Sequence, residues 1–245
     1  MDRFNHLLHV GDGAVSHNGP MPATTIRPDL AAAHLEAWRQ VTAPGASFDG
    51  AERRAIAATA LGAMDDAEPL PPWVSPTQAG RKMAGGDVLS DVVIDSVYRI
   101  ARHAASLTED WYGSIIERGL NPVAYVEIVG VVAAVAAVDG FSRAAGVQRP
   151  VLPSSMAGAP HHRHPVVEAA TLNWVPVAAP ADRVAAVVQG LSAAPDERNN
   201  VMRLAAAQYI PFDEMGDLGW NRGTLSRGEM ELVAARLSAA RQCFY

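Results

Sequence analysis

Cys243 is the one cysteine in the 245-residue sequence. A single thiol excludes an internal disulfide framework, and it excludes a multi-thiolate metal site built from one copy of the chain. Redox chemistry at Cys243 therefore needs another group. The run His161, His162, Arg163, His164 offers imidazoles, which are good zinc or nickel ligands. It lies in a Pro-rich stretch with no carboxylate or cysteine set beside it, so a solvated loop is expected and no metal is assigned. Glu127 is a carboxylate within an apolar run, and such a group is either a proton relay or half of an ion pair. Arg143 or Arg118 is its expected partner, or water at an edge. Trp174, Trp220 and Tyr209 could shape a pocket, though core or interface packing is the default for such residues. His34 and His103 are expected to make local hydrogen bonds. The GDG of residues 11–13 and the MAGG of residues 83–86 lack the strand, loop and helix context of a phosphate-binding loop.

The elements that must position these groups read as helices. Ala, Val and Leu recur at spacings of three and four, and alternating apolar and polar runs are scarce, so an all-α chain with almost no sheet is expected. Asp29 is placed as the cap of a first helix through Gln40, and Asp49 as the cap of a second carrying Ile56 and Leu61. Residues 66–86 read as a long loop. A helix is expected over 88–105, then one capped by Thr108 or Ser106 and closed by Gly119. Asn121 caps the next, with Pro122 in its first turn. That helix is apolar nearly all round and reads as central. Residues 148–165, rich in Pro, Ser, Gly and His, read as a linker or crossing loop, followed by helices over 182–192 and 196–209. The last helix starts at Ser226, with Glu229 in capping-box position and Leu232, Val233, Leu237 and Ala240 as its apolar stripe.

The break near residue 150 suggests two halves, 1–150 and 151–245. Residues 48–61 and 225–238 share a cap, a glutamate three residues after it and an Ile/Val-Ala-Ala step, the mark of a degenerate internal repeat. Net charge is −6 and the pI about 5.7, which gives no global electrostatic reason to bind nucleic acid or an anionic membrane. The N-terminal segment has too short an apolar stretch for a secretory signal and reads as a cytoplasmic lead-in. The longest apolar run, 128–138, is about half of the roughly 20 residues a membrane span requires.

The C-terminal segment LSRGEMELVAARLSAARQCFY resembles the stretch of AhpD-like alkylhydroperoxidases, in the carboxymuconolactone decarboxylase superfamily, that runs from a helical glutamate into a Cys-x-x-Cys motif. In that family a glutamate precedes the first cysteine by twelve positions; Glu231 and Cys243 stand at that spacing here. The middle segment DWYGSIIERGLNPVAYVEIVGVVAAVAAVDGFSRAAGV is similar to the family's helix pair, so the likeness covers about half the chain. The resemblance implies an AhpD-like fold of two half-repeats, homo-oligomerisation through apolar helix faces, and no cofactor. It implies peroxide reduction by a thiolate or selenolate, with Cys243 as the resolving residue and Glu231 as the proton-relay carboxylate. A hydroperoxide and a thiol electron donor would be the partners.

The second redox position would be residue 246, past Tyr245, and a histidine four further on. A selenocysteine codon read as a stop, or a truncation at an arbitrary point, would each account for that, and the chain as it stands is expected to be inactive. The first half places Arg54 opposite Glu231 and Asp66 opposite Cys243, which makes it catalytically silent. A non-catalytic helical binding or assembly protein is the alternative. A lactone-acid decarboxylase is a third reading, disfavoured because it would not need Cys243.

Overall fold

The computed structural model describes residues 26–69, 71, 73, 88–169, 173–180 and 186–240. Cys243, the GDG and MAGG segments and most of the loop expected over 66–86 lie outside the described residues.

Helix α1 spans Pro28–Gln40. Its cap position is Arg27 rather than Asp29: Pro28, with its fixed φ and missing N–H, opens the helix, and Asp29 sits inside the first turn, accepting two bonds of 3.0 Å from Arg27. A carboxylate there complements the partial positive charge of the helix start without capping it. Helix α2, Gly50–Asp65, begins with a full capping box, in which Asp49 accepts from the Glu52 amide and Glu52 accepts from the Asp49 amide, each at 2.8 Å. Helix α3 covers Asp91–His103 and tightens into a 3₁₀ turn at Ala104–Ser106. Thr108 caps α4, Glu109–Glu117, by accepting from the Trp111 amide at 3.2 Å. Gly119 follows at φ 97°, a left-handed conformation that a side chain would strain.

Helix α5, Pro122–Ala145, is the axis of the molecule. The Asn121 side chain accepts from the amides of Val123 and Ala124, Pro122 opens the helix, and Gly146 ends it at φ 65°. Because Val123, Val126, Ile128, Val131, Val135 and Val138 leave it no polar face, it must be surrounded, and α1, α2, α3 and a later helix, α7, pack against it. At 24 residues, with an 18-residue window of mean hydropathy 1.9, it is long and apolar enough to cross a membrane by those measures alone, yet 72% of that window is buried within the protein.

Residues 148–165 form an extended strap across this bundle. Trp38 donates to the Val151 carbonyl at 3.0 Å and Arg54 to that of Pro153 at 2.9 Å. The amides of Met156, His161 and His162 donate to the carbonyls of Thr42, Gly45 and Ala46 at 2.9, 2.9 and 3.1 Å. A short antiparallel pair follows, β1 (Val167–Ala169) with β2 (Pro176–Ala178), Glu168 opposite Val177. Of the helix expected over 182–192, the described residues show one turn, α6, at Ala186–Gln189. Helix α7, Pro195–Gln208, packs on α1 and α5, and Leu204 joins the core they share. The described part is thus mostly helical, with one two-stranded sheet among its residues.

Helix α8, Arg227–Ala240, departs from expectation in its burial. Ser226 and Glu229 do form the predicted reciprocal cap, the Ser226 amide donating to Glu229 at 2.8 Å and the Glu229 amide to the Ser226 hydroxyl at 3.4 Å. Met230 alone among its described residues is buried, while Leu232, Val233 and Leu237 are 61%, 68% and 60% exposed. The segment it resembles in sequence, α2, lies in the core. Periodicity marks an apolar face but does not say what covers it.

Candidate functional site

Two charged constellations stand out, one on α8 and one inside the bundle. On α8, Glu231 accepts from Arg227 Nε at 2.7 Å, one turn back along the helix, and is hydrogen-bonded to the Tyr209 side chain at the end of α7. Arg227 is itself held by the carbonyls of Asp217 and Met215, both at 3.2 Å. Glu231 is therefore oriented from two directions rather than free in solvent. The Tyr209 bond first, then Arg227, holds its carboxyl below the usual carboxylate range. Desolvation, with the Glu231 bond and charge adding, pushes the Tyr209 phenol up to about 12. At neutral pH this is an anion beside an intact phenol, an arrangement that can accept and return a proton but is a weak base. Tyr209 also anchors the loop before α8, since its carbonyl accepts from Arg222, whose guanidinium stacks 5.0 Å over the Trp220 ring.

Inside the bundle, Arg53 of α2 reaches between two helices. Its Nη1 donates to Glu127 Oε1 of α5 at 2.5 Å, and its Nη2 lies 2.7 Å from Glu197 Oε1 of α7 and donates to the Gln40 carbonyl at 3.0 Å. The other Glu127 oxygen accepts from the Ser47 amide at 2.7 Å. The expected partners of Glu127 are overturned. Arg118 pairs with Asp95 at 2.8 Å, and Arg143 pairs with Asp139 at 2.7 Å and with Asp65. The reason is directional: Glu127 faces the packed side of α5, where α2 supplies the nearest guanidinium. Glycines make room, since a Cβ on Gly45 would lie 2.0 Å from Glu127 Oε1, and one on Gly130 would lie 2.3 Å from Glu197 Cβ.

Sequence reasoning missed Arg53 and Glu197 as site residues. Arg53 was legible only in retrospect, as a cation at a position where the α2 period calls for an apolar residue.

His161 is not isolated as its neighbours in sequence suggested, because the fold brings Asp196 to its Nε2 at 3.0 Å. His162 and His164 line a cleft of about 370 Å³ with Ser47, Ser90 and Asn121. His34 packs edge-on to Phe141 with centroids 4.8 Å apart and bonds Gln208 at 2.9 Å; His103 lies tilted against Tyr98. Arg54, which the expected repeat sets opposite Glu231, is tied to the strap, and Asp66, which it sets opposite Cys243, accepts from the Tyr98 hydroxyl at 2.8 Å. Both are structural contacts.

Comparison with protein-family models, curated proteins and solved structures returns no match to this chain.

Proposed function

We propose that this chain carries part of an AhpD-like peroxide-reducing site, acting in the cytoplasm, with Glu231 as its proton-relay carboxylate and Cys243 as its resolving thiol. The observation that supports the reading is the fixing of Glu231 by Tyr209 and Arg227 on the helix that leads towards Cys243. An Arg–Glu pair one turn apart is ordinary on an exposed helix, so the part that supports the reading is the Tyr209 bond arriving from another helix end.

The reaction needs a thiolate or selenolate at position 246, three positions after Cys243, which residues 1–245 do not include. That nucleophile attacks the terminal oxygen of a hydroperoxide, the O–O bond breaks, an alcohol leaves with a proton relayed through Glu231, and the nucleophile becomes a sulfenic or selenenic acid. Cys243 then attacks it, water leaves, and a disulfide or selenylsulfide forms. An external dithiol reduces that bond and is itself oxidised. Residues 1–245 hold no second cysteine with which Cys243 could close the cycle.

The test starts with the codons after Tyr245 in the source gene. Expressed as far as they read, with Cys or Sec at 246, the chain is expected to consume tert-butyl hydroperoxide with dithiothreitol as donor, and the 245-residue chain is expected not to. An extended chain that is folded and still inactive with several thiol donors would remove the peroxidase reading. The second reading, an assembly protein that kept the scaffold without the chemistry, is favoured by one feature: exposed Leu232, Val233 and Leu237 on α8 suit contact with a second copy.

A further inference from the structure

Two carboxylates share one guanidinium where water does not reach. The side chains of Arg53, Glu127 and Glu197 are 2%, 1% and 3% exposed. If both glutamates were ionised, the cluster would hold a net negative charge in a medium that solvates it poorly, and like charges sharing one site force a proton back onto one of them. The hydrogen bonds show which. Glu127 has an N–H donor on each oxygen, Arg53 on one and Ser47 on the other. Glu197 has Arg53 on Oε1 only, and its buried Oε2 has no hydrogen-bond partner among the described residues.

We propose that Glu197 is a buried carboxylic acid, protonated at neutral pH, and that its ionisation loosens α7, with Tyr209 and Glu231 beyond it, from the α2–α5 body. The charged groups that face it are Arg53 on α2, Glu127 on α5, Asp196 on its own helix, and from the strap Arg163, which shares a narrow recess with Glu127, Asp196 and Glu197, and His161, bonded to Asp196. The helix N-terminus favours an anion, but Asp196 stands one residue nearer that end and already meets the demand. Burial pushes the Glu197 carboxyl above the ordinary range; Arg53 opposes this, while Glu127 and Asp196 add to it. Its backbone cannot shift towards α5, because its Cβ rests against Gly130. An added charge is therefore relieved by α7 moving or by water entering through the recess.

The sign follows from linkage. A folded pKa above the unfolded one gives stability that is complete below the ordinary carboxylate pKa and is lost as pH rises through the folded value. The test is a carbon-13 NMR titration of glutamate side-chain carboxyls in the 245-residue chain, with thermal unfolding alongside. One carboxyl is expected to keep the shift of a neutral acid at pH 7, and Glu197→Gln is expected to abolish that signal. Relative to Glu197→Gln, which retains any contribution of the His161–Asp196 pair, the folded-to-unfolded ratio of the unaltered chain should fall by up to about tenfold per pH unit between the ordinary carboxylate pKa and the folded value, and level off above it. No neutral carboxyl at pH 7, or one that survives Glu197→Gln, overturns the proposal. Should that variant not fold, residue-specific assignment of the carboxyl resonances in the unaltered chain decides: a neutral-acid signal at pH 7 that belongs to any glutamate other than Glu197 overturns the proposal equally. The peroxidase reading is untouched by either result.

Discussion

Glu127 Oε1 meets Arg53 Nη1 at 2.5 Å across 74 positions of sequence, and this contact locks α5 to α2 in the core. Removing the cation strands the Glu127 carboxylate without a counter-charge and deprives Glu197 of its one partner, whereas removing Glu127 leaves Arg53 paired with Glu197. Arg53→Met is therefore expected to lose about 3–5 kcal/mol, the cost of breaking a buried pair, and Glu127→Gln distinctly less. Urea unfolding of the two variants measures the order; equal losses would mean that charge count is not what the cluster balances.

Gly45 and Gly140 make a matched pair of glycine tests. A methyl at Gly45 meets Glu127 Oε1 at 2.0 Å and Arg53 Nη1 at 2.5 Å, while one at Gly140 meets nothing within 4 Å. Gly45→Ala should cost on the order of 3 kcal/mol by disrupting the buried pair. Gly140→Ala, in the helix interior, should gain about 0.5–1 kcal/mol. Tm shifts of opposite sign are the expected readout.

The capping box of α2 supports a helix that carries both Arg53 and core residues Ile56 and Ala60. Asp49→Ala is expected to cost about 1 kcal/mol, with the denaturant slope unchanged because the same surface still unfolds. A changed slope would mean that the cap holds more than its own helix.

Tyr209→Phe deletes the hydroxyl that does most to hold the Glu231 carboxyl low. The Glu231 titration, followed by NMR, should move up towards the ordinary carboxylate range. A lowered carboxyl gives stability that is present above the unfolded pKa and lost as pH falls through the folded value, and here that contribution is small because Glu231 is 46% exposed. In a peroxidase-competent extended chain the acid limb of the rate profile should shift upward with it. A titration left unmoved would make the tyrosine a bystander.

Leu237 is 60% exposed, so Leu237→Glu should change monomer stability by no more than about 0.5 kcal/mol. If a second copy covers α8, the same substitution should lower self-association in sedimentation velocity. A monomer before and after would leave α8 without a self-partner.

Local signals carried much of the helix plan. The Asp49 and Ser226 boxes, the Asn121-Pro122 start and the Gly119 stop were legible because a cap joins residues three apart, and the structure places them as read. Asp29 was misplaced by two positions because Pro28 and an acidic first turn satisfy the same helix end in a different way. The resemblance to the AhpD-like segment pointed to Glu231, but nothing in the sequence pointed to the Tyr209 hydroxyl that orients it, which arrives from another helix end.

The sequence by itself determined where most of the helices start, that α5 must be enclosed, that one thiol allows no internal disulfide framework, and that a net charge of −6 gives no global electrostatic reason to bind nucleic acid. Only the tertiary structure decided that Arg53 joins Glu127 and Glu197, that Asp196 reaches His161, and that the apolar side of α8 faces outward. Periodicity and capping act within a turn or two of chain, whereas a buried charge takes whichever partner packing brings within about 3 Å, and that depends on how whole helices cross.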